Sequence, residues 1–109
     1  RHHNRKLDAP SGTALLLADA INESLDEPKT YNLGRNGKNA KRTNREIGIH
    51  AVRGGTIVGE HQIIFAGNDE IIEFKHTSLS RNIFAVGAIR AAKYICKQRP
   101  GYYNMDDML

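Results

Sequence analysis

Cysteine is almost absent from this sequence, and long apolar runs are missing altogether. The 109 residues include one cysteine, Cys96, so neither an internal disulfide nor a zinc site built from several cysteines can form. A reducing compartment suits such a chain, and we expect Cys96 to be a buried thiol, as free cysteines usually are. No stretch approaches the roughly 18 apolar residues of a membrane span, and the first residues lack the apolar core of a secretory signal. A cytoplasmic protein without a membrane partner is therefore predicted.

The remaining composition is that of one small soluble domain. Hydrophobic residues make up 39% and charged residues 26% of the chain, and a chain of this length supports one core. The formal net charge is +4, which favours anionic partners.

Positive charge is concentrated in residues 34–45, which read GRNGKNAKRTNR. Its arginine and lysine side chains could attract the phosphates of a nucleic acid. The segment has no aromatic residue, however, and proteins that bind single strands stack bases on aromatic rings. A flexible, solvated loop is the preferred interpretation, and nucleic-acid binding is the alternative.

Two segments have the spacing of amphipathic helices. Pro10-Ser11 marks the start of the first, in which apolar side chains recur every three or four residues until Asp26-Glu27-Pro28. Ser78 or Ser80 can begin the second helix, which carries an apolar stripe rich in small residues and ends near Arg99-Pro100-Gly101.

Between the helices the apolar period falls to two, which is typical of strands. A short extended piece is predicted near residues 30–33, followed by strands over 46–52, 57–66 and 70–77. The glycine pair in Arg53-Gly54-Gly55-Thr56 suits a tight hairpin, so the last three strands are predicted to form an antiparallel meander. The predicted fold class is α+β, a small mixed and largely antiparallel sheet with two helices packed on one face. Apolar residues on both sheet faces predict a subunit contact.

Residues 2–14, HHNRKLDAPSGTA, form the stretch whose polar groups are best suited to binding and proton transfer. A helix N-terminus leaves backbone N–H groups unpaired, so Gly12 and Thr13 are candidates to bind a carboxylate. Lys6 adds a positive charge, and the pair His2-His3 can transfer protons near neutral pH. Together these groups suit an anionic substrate that must be protonated.

A structural interpretation of the same stretch stays open. In it, Asp8 and Ser11 cap the helix and the two histidines lie exposed. No metal site is predicted, because adjacent histidines point in different directions and no further ligand completes a coordination shell. His50, His61 and His76 are interpreted as ordinary strand residues.

Four blocks of the sequence resemble the dihydrodipicolinate reductases, enzymes of diaminopimelate and lysine synthesis. The first is HHNRKLDAPSGTA itself, and the second is EIGIHAVRGGTIVGEHQIIFAG over residues 46–67. The third is HTSLSRNIFAVGAIRAA over residues 76–92, and the fourth is the final YYNMDDML. The matching blocks cover almost the whole chain.

The resemblance implies an enzyme in which an N-terminal Rossmann domain binds NADH or NADPH and a C-terminal domain binds a dicarboxylate substrate and assembles into a homotetramer. The implied reaction reduces 4-hydroxy-tetrahydrodipicolinate to tetrahydrodipicolinate. Residues 1–109 match the second domain and contain no glycine-rich dinucleotide motif, so we expect the cofactor domain to be absent and the chain alone to be inactive. The alternative is an assembly module without catalysis of its own.

The resemblance also implies roles for particular residues. His2 would be the proton donor or acceptor, and Lys6 a second proton donor. The implied substrate-binding residues are His3, Ser11, Gly12, Thr13 and Arg81. Arg81 lies apart from the others, beside the second helix start, where a surface arginine is the alternative.

Overall fold

The chain forms two compact units, Arg1–Thr77 and Ser78–Leu109, in a computed structural model that describes all 109 residues. The first unit contains helix α1 (Gly12–Glu23) and strands β1 (Thr30–Leu33), β2 (Glu46–Ile49), β3 (Gly59–Ala66) and β4 (Ile71–Ser78), the last of which ends one residue beyond it. The second contains helix α2 (Asn82–Ile95) and a 3-10 turn, Asp106–Met108. The predicted α+β class is confirmed.

Helix α1 forms where the sequence predicts the first helix, and Ser11 sets its start. Ser11 Oγ accepts the Ala14 N–H at 3.2 Å, which satisfies one of the amides that a first turn leaves unpaired. The helix ends at Glu23, earlier than the predicted stop at Asp26-Glu27-Pro28. Its last turn closes there because the Ser24 hydroxyl donates to a carbonyl of the preceding turn at 2.7 Å.

The strands form two separate two-stranded sheets, so the predicted three-stranded meander is wrong in its first member. β1 and β2 pair in parallel, with Thr30 opposite Glu46 and Leu33 opposite Ile49. β3 pairs with β4, and this pair is antiparallel because the connection over residues 67–70 is too short for a parallel crossover. The second hairpin of the prediction is therefore confirmed.

The glycine pair after β2 forms no hairpin because the start of the chain takes its hydrogen bonds. The His2 N–H donates to the Val52 carbonyl, and the Gly54 N–H donates back to the His2 carbonyl, both at 3.0 Å. The Asn4 N–H reaches the Gly55 carbonyl at 3.1 Å. The loop after β2 therefore positions His2 instead of forming a hairpin turn between β2 and β3.

The basic segment 34–45 is irregular, as predicted, but it is anchored at both ends. Arg35 Nη2 pairs with the carboxylate of Glu46, which is 8% exposed. Near the other end, Lys29 Nζ donates to the Asn44 carbonyl at 2.7 Å. Contacts therefore attach both ends of the segment, while its flexibility stays a prediction.

Apolar side chains stay at the surface of the β3–β4 hairpin. Ile64, Phe65, Ile72 and Phe74 are between 43% and 61% exposed. Ala18 of α1, 4% exposed, is the one buried hydrophobic residue of the chain. The prediction that apolar residues occupy both faces of a strand is confirmed in β3, where Ile64 and Phe65 alternate and both are exposed.

In the second unit, Ser80 marks the start of α2, because its Oγ accepts the Asn82 N–H at 3.2 Å. The Tyr94 and Tyr103 rings meet edge to face, 6.1 Å apart, and tie the last residues to this helix. Cys96 is exposed, so the prediction of a buried thiol is wrong. The reason is that Cys96 follows α2, a helix in which no residue is buried. Neither helix has the length and apolar character that crossing a bilayer requires.

Replacing Glu46 by alanine should loosen the β1–β2 pair locally. The substitution leaves the guanidinium of Arg35, whose side chain is 22% exposed, without its carboxylate, at a cost of roughly 2 kcal/mol. The Gly34 N–H donates to the Ile49 carbonyl at 2.8 Å, and its hydrogen exchange should quicken about 30-fold. Glu27→Ala removes an exposed carboxylate and should leave that exchange unchanged. Equal exchange in the two variants would contradict a stabilising ion pair.

Candidate functional site

Side chains from three parts of the first unit meet at the start of α1. Ser11 is buried, with 6% exposure, and its Oγ lies 3.0 Å from His61 Nε2. The His61 ring contacts the His2 ring edge to face, with the ring centroids 5.1 Å apart. The N-cap of α1, strand β3 and the start of the chain thus converge on one group of residues, the Ser11–His61–His2 cluster.

The first turn of α1 leaves two backbone amides without an acceptor. Ser11 Oγ takes the Ala14 N–H, whereas the Gly12 and Thr13 N–H groups have no hydrogen-bond acceptor in the chain. Apart from the adjoining residues and the backbone of α1 itself, no atom lies within 4 Å of the position that a Gly12 Cβ would occupy, so the space beside this turn is open. Open amides at the positive end of a helix are suited to a carboxylate.

Lys6 is held by Asp8. Lys6 Nζ donates to the two carboxylate oxygens of Asp8 at 2.7 and 2.9 Å, and the lysine side chain is 22% exposed. The hydrogen bond from Lys6 lowers the pKa of the Asp8 carboxyl. Asp8 therefore does not cap the helix, as the structural interpretation of this stretch supposed, and Ser11 alone does. An incoming anion has to share the ammonium with Asp8 or displace it.

Arg53 brings a second cation to the histidines, and the sequence interpretation assigned it only to a turn. Its Nη2 donates to the Asp8 carbonyl at 2.6 Å, and its Nη1 to the Val52 carbonyl at 2.9 Å. Arg53 also forms a β-bridge with His2. Arg53 directly precedes the glycine pair, so the sequence predicts it as part of a hairpin turn and does not predict these contacts.

Burial and neighbouring positive charges lower the pKa of both imidazoles in the cluster. For His2 burial is the largest cause, and neighbouring groups that include His61, Arg53 and Lys6 add to it, so that the pKa falls from 6.5 to about 4. Burial is also the largest cause that lowers the pKa of His61, and the neighbouring charges of His76 and Lys6 contribute. Both rings are therefore neutral at pH 7. The effect of Lys6 on both rings places its charge within electrostatic range of the cluster.

His61 lies in strand β3, as predicted, and its ring makes contacts with Ser11 and His2 that the sequence did not predict. Strand periodicity indicates that a side chain alternates with its neighbours but not which partner it meets, so it carried no signal for this contact. His50 and His76 are exposed and lie outside the cluster.

Two other predicted residues, His3 and Arg81, belong to different units of the chain. His3 is half-buried beside His2. Arg81 belongs to the second unit, where it precedes α2 without a side-chain cap. Their roles in binding a substrate stay predictions.

A cleft of about 1010 Å³ borders the cluster. His2, Ser11 and His61 line part of it. Apolar side chains from α1, β2 and β3 line much of the rest: Leu17, Ile21, Ile47, Ile49, Ile63 and Phe65. Gly12 and Thr13 lie outside this lining and are exposed. The open amides are therefore a feature of the outer surface of the helix start, next to the cleft and not inside it.

All 109 residues match the protein family described as "Dihydrodipicolinate reductase, C-terminus". Among curated relatives named 4-hydroxy-tetrahydrodipicolinate reductase, that of Clostridium novyi (strain NT) is 58% identical over 109 residues, which are 100% of this chain and 43% of the relative. That of Methanosarcina acetivorans is 58% identical over 108 residues, 99% of this chain and 40% of the relative. The chain thus spans about two fifths of the length of these relatives.

A solved structure extends the similarity to the fold. It is described as dipicolinate-bound dihydrodipicolinate reductase from Paenisporosarcina sp. TG-14, and it matches with a TM-score of 0.71 and 29% identity. The match covers 99% of this chain and 42% of that one. Because the family match is complete and the curated relatives are more than half identical, this chain belongs to the dihydrodipicolinate reductase C-terminus family.

Proposed function

We propose that this chain provides the substrate-binding and proton-transferring part of a 4-hydroxy-tetrahydrodipicolinate reductase, which forms tetrahydrodipicolinate with NADH or NADPH. The observation that carries the proposal is the open first turn of α1, whose free Gly12 and Thr13 amides adjoin the Ser11–His61–His2 cluster. The curated relatives bear the name of this reductase. The solved relative is described as bound to dipicolinate, a molecule with two carboxylates.

The residues of this chain do not fit a nicotinamide dinucleotide. The parallel pair β1–β2 has no helix between its strands, and the glycines that follow β1 and β2 lead into neither helix of the chain, so the elements of a dinucleotide fold are lacking. We therefore assign the cofactor, and the hydride it supplies, mainly to another domain of the reductase. Residues 1–109 then form the domain that binds the substrate and assembles the enzyme.

The substrate is anchored at its carboxylates. One carboxylate accepts hydrogen bonds from the Gly12 and Thr13 amides and from the Thr13 hydroxyl. Lys6 turns from Asp8 toward the second carboxylate, with His3 beside it. Ser11 already uses its hydroxyl for Ala14 and His61, so its contribution is to hold the turn in place.

Proton transfer falls to His2 and Lys6. In the free protein His2 is neutral at pH 7, because its pKa is about 4, and it can accept a proton. A dicarboxylate bound beside it raises that pKa, because nearby negative charge favours the imidazolium. Substrate binding thereby charges His2 with the proton that it can deliver to the substrate, and Lys6 is the second donor.

Exposed apolar side chains on both faces of β3–β4 support the assembly part of the proposal. Side chains such as Ile64 and Phe74 are 55% and 61% exposed, and patches of this kind mark subunit contacts. We propose that other copies of the protein cover them in a homotetramer. A cytoplasmic location stays a prediction.

Lys6→Gln should weaken the binding of dipicolinate by about 10- to 100-fold, since a hydrogen bond to a charged group contributes roughly 1.5 to 3 kcal/mol. Asp8→Asn should tighten binding, because it removes the anion that competes for Lys6. Lys41→Gln, the same charge change at an exposed position of the basic segment, is the control and should stay within twofold. Calorimetric titration gives the affinities, and equal weakening by Lys6→Gln and Lys41→Gln would contradict the site.

The pKa of His2 should be about 4 in the free protein and should rise when dipicolinate binds. Binding then takes up a proton, so affinity should fall as the pH rises through the pKa of the bound form, and His2→Gln should remove this dependence. Without ligand the unfolded chain takes up the proton near 6.5, so stability should decrease as the pH falls from there toward 4. Histidine ring signals in NMR measure these pKa values. A free His2 that titrates near 6.5 would contradict the argument.

The complete reaction can be tested in a chimera. In the Clostridium novyi relative, the 109 matching residues are replaced by this chain, and NADPH oxidation is followed with 4-hydroxy-tetrahydrodipicolinate. The chimera should turn over, its Lys6→Gln variant should lose most of kcat, and the chain alone should show no turnover. Equal turnover by the chain alone would refute the assignment of the cofactor to another domain, and an inactive, folded chimera would refute the proposed function.

A further inference from the structure

His61 is the member of the cluster to which the proposed reaction assigns no role. It is half-buried on β3 and touches two functional elements at once. Its Nε2 lies 3.0 Å from Ser11 Oγ, and its ring meets the ring of His2 at an interplanar angle of 68°. One side chain thus connects the helix start that offers the open amides to the imidazole that transfers protons.

The contact with His61 determines which hydrogen bond the Ser11 hydroxyl donates and which it accepts. Ser11 Oγ accepts the Ala14 N–H at 3.2 Å, so its own proton is available for a second bond. When the neutral His61 ring presents an unprotonated Nε2, the hydroxyl donates to it, and a lone pair of Oγ stays directed at Ala14. A hydroxyl that donates is also a stronger acceptor. His61 therefore stabilises the first turn in which the Gly12 and Thr13 amides are open.

The contact between the two rings holds the His2 ring in place of a hydrogen bond that His2 lacks. His2 Nδ1 is buried without a hydrogen-bond partner, so packing must hold the ring. Gly59 and His61 are two residues apart, on the same face of β3. A Cβ at Gly59 would lie 3.5 Å from His2 Nε2, so the glycine backbone forms one wall and the His61 ring the other. Together they set the orientation of the His2 ring.

We propose that His61 is a positioning residue that orients both the carboxylate-binding turn of α1, through Ser11, and the ring of His2, through the edge-to-face contact. This proposal rests on the proposed function for its ligand. Its two contacts can be separated by substitution, because one needs a hydrogen-bonding atom and the other an aromatic ring.

Two variants separate the contacts. His61→Gln keeps a polar group near Ser11 but loses the ring, and His61→Phe keeps a ring beside His2 but cannot bond to Ser11. His61→Phe should weaken dipicolinate binding about fivefold, the effect of losing one net hydrogen bond at the N-cap residue, and shift the Ala14 amide signal. His61→Gln should hold affinity within twofold but change the pKa of His2. His50→Gln, at an exposed position, is the control and should change neither.

The same variants in the chimera give the kinetic counterpart. His61→Phe should raise KM with little change in the pH profile, whereas His61→Gln should move the acid limb of the pH profile with KM nearly unchanged. A structural role alone would change both quantities together in both variants, and that result would overturn the proposal. The Ala14 signal and the His2 titration need no ligand. If the unsubstituted protein fails to bind dipicolinate, the proposed function fails, while these two measurements still decide whether His61 positions Ser11 and His2.

Discussion

The candidate site depends on three backbone hydrogen bonds between the start of the chain and the loop after β2. His2 and Asn4 pair with Val52, Gly54 and Gly55, and this pairing brings an imidazole from the chain start against β3. The Glu60 N–H also donates to the Arg1 carbonyl at 2.9 Å, which holds the residue before His2 directly on β3. The same pairing places Arg53 between His2 and Asp8. A local property of the loop, its free backbone groups, therefore decides the chemistry of a distant segment.

Within the candidate site, residues of the chain itself neutralise Lys6 and keep both imidazoles uncharged. The Lys6 ammonium is neutralised by Asp8, and both imidazoles in the cluster are neutral because burial and nearby cations disfavour a further positive charge. Arg53 is fixed by two backbone carbonyls. The remaining attraction for an anion comes from open amides and from a lysine that must exchange partners. Arg53 has no carboxylate partner, so its positive charge adds to the attraction for an anion.

The sequence predicts local structure well where the signal is local. Ser11 at the N-cap, the helical spacing that follows it and the β3–β4 hairpin all depend on neighbouring residues, and all three are confirmed. The pairing of β2 with β1 and the role of His61 depend on contacts between distant residues, which periodicity does not encode. Gly54 and Gly55 show why. A glycine pair permits a hairpin, but here the hydrogen bonds of this loop are made by the distant segment His2–Asn4.

In the proposed function, the Lys6–Asp8 pair also determines which anions can bind. Asp8 stands two residues from Lys6, so its carboxylate is present at a high effective concentration and competes with every incoming anion. A chloride or a simple monocarboxylate gains little by exchanging with it. A molecule that is already anchored at the start of α1 by one carboxylate presents its second at a comparable local concentration, and the exchange becomes favourable. A competing carboxylate within the chain therefore favours ligands that carry two suitably spaced negative charges over ligands that carry one.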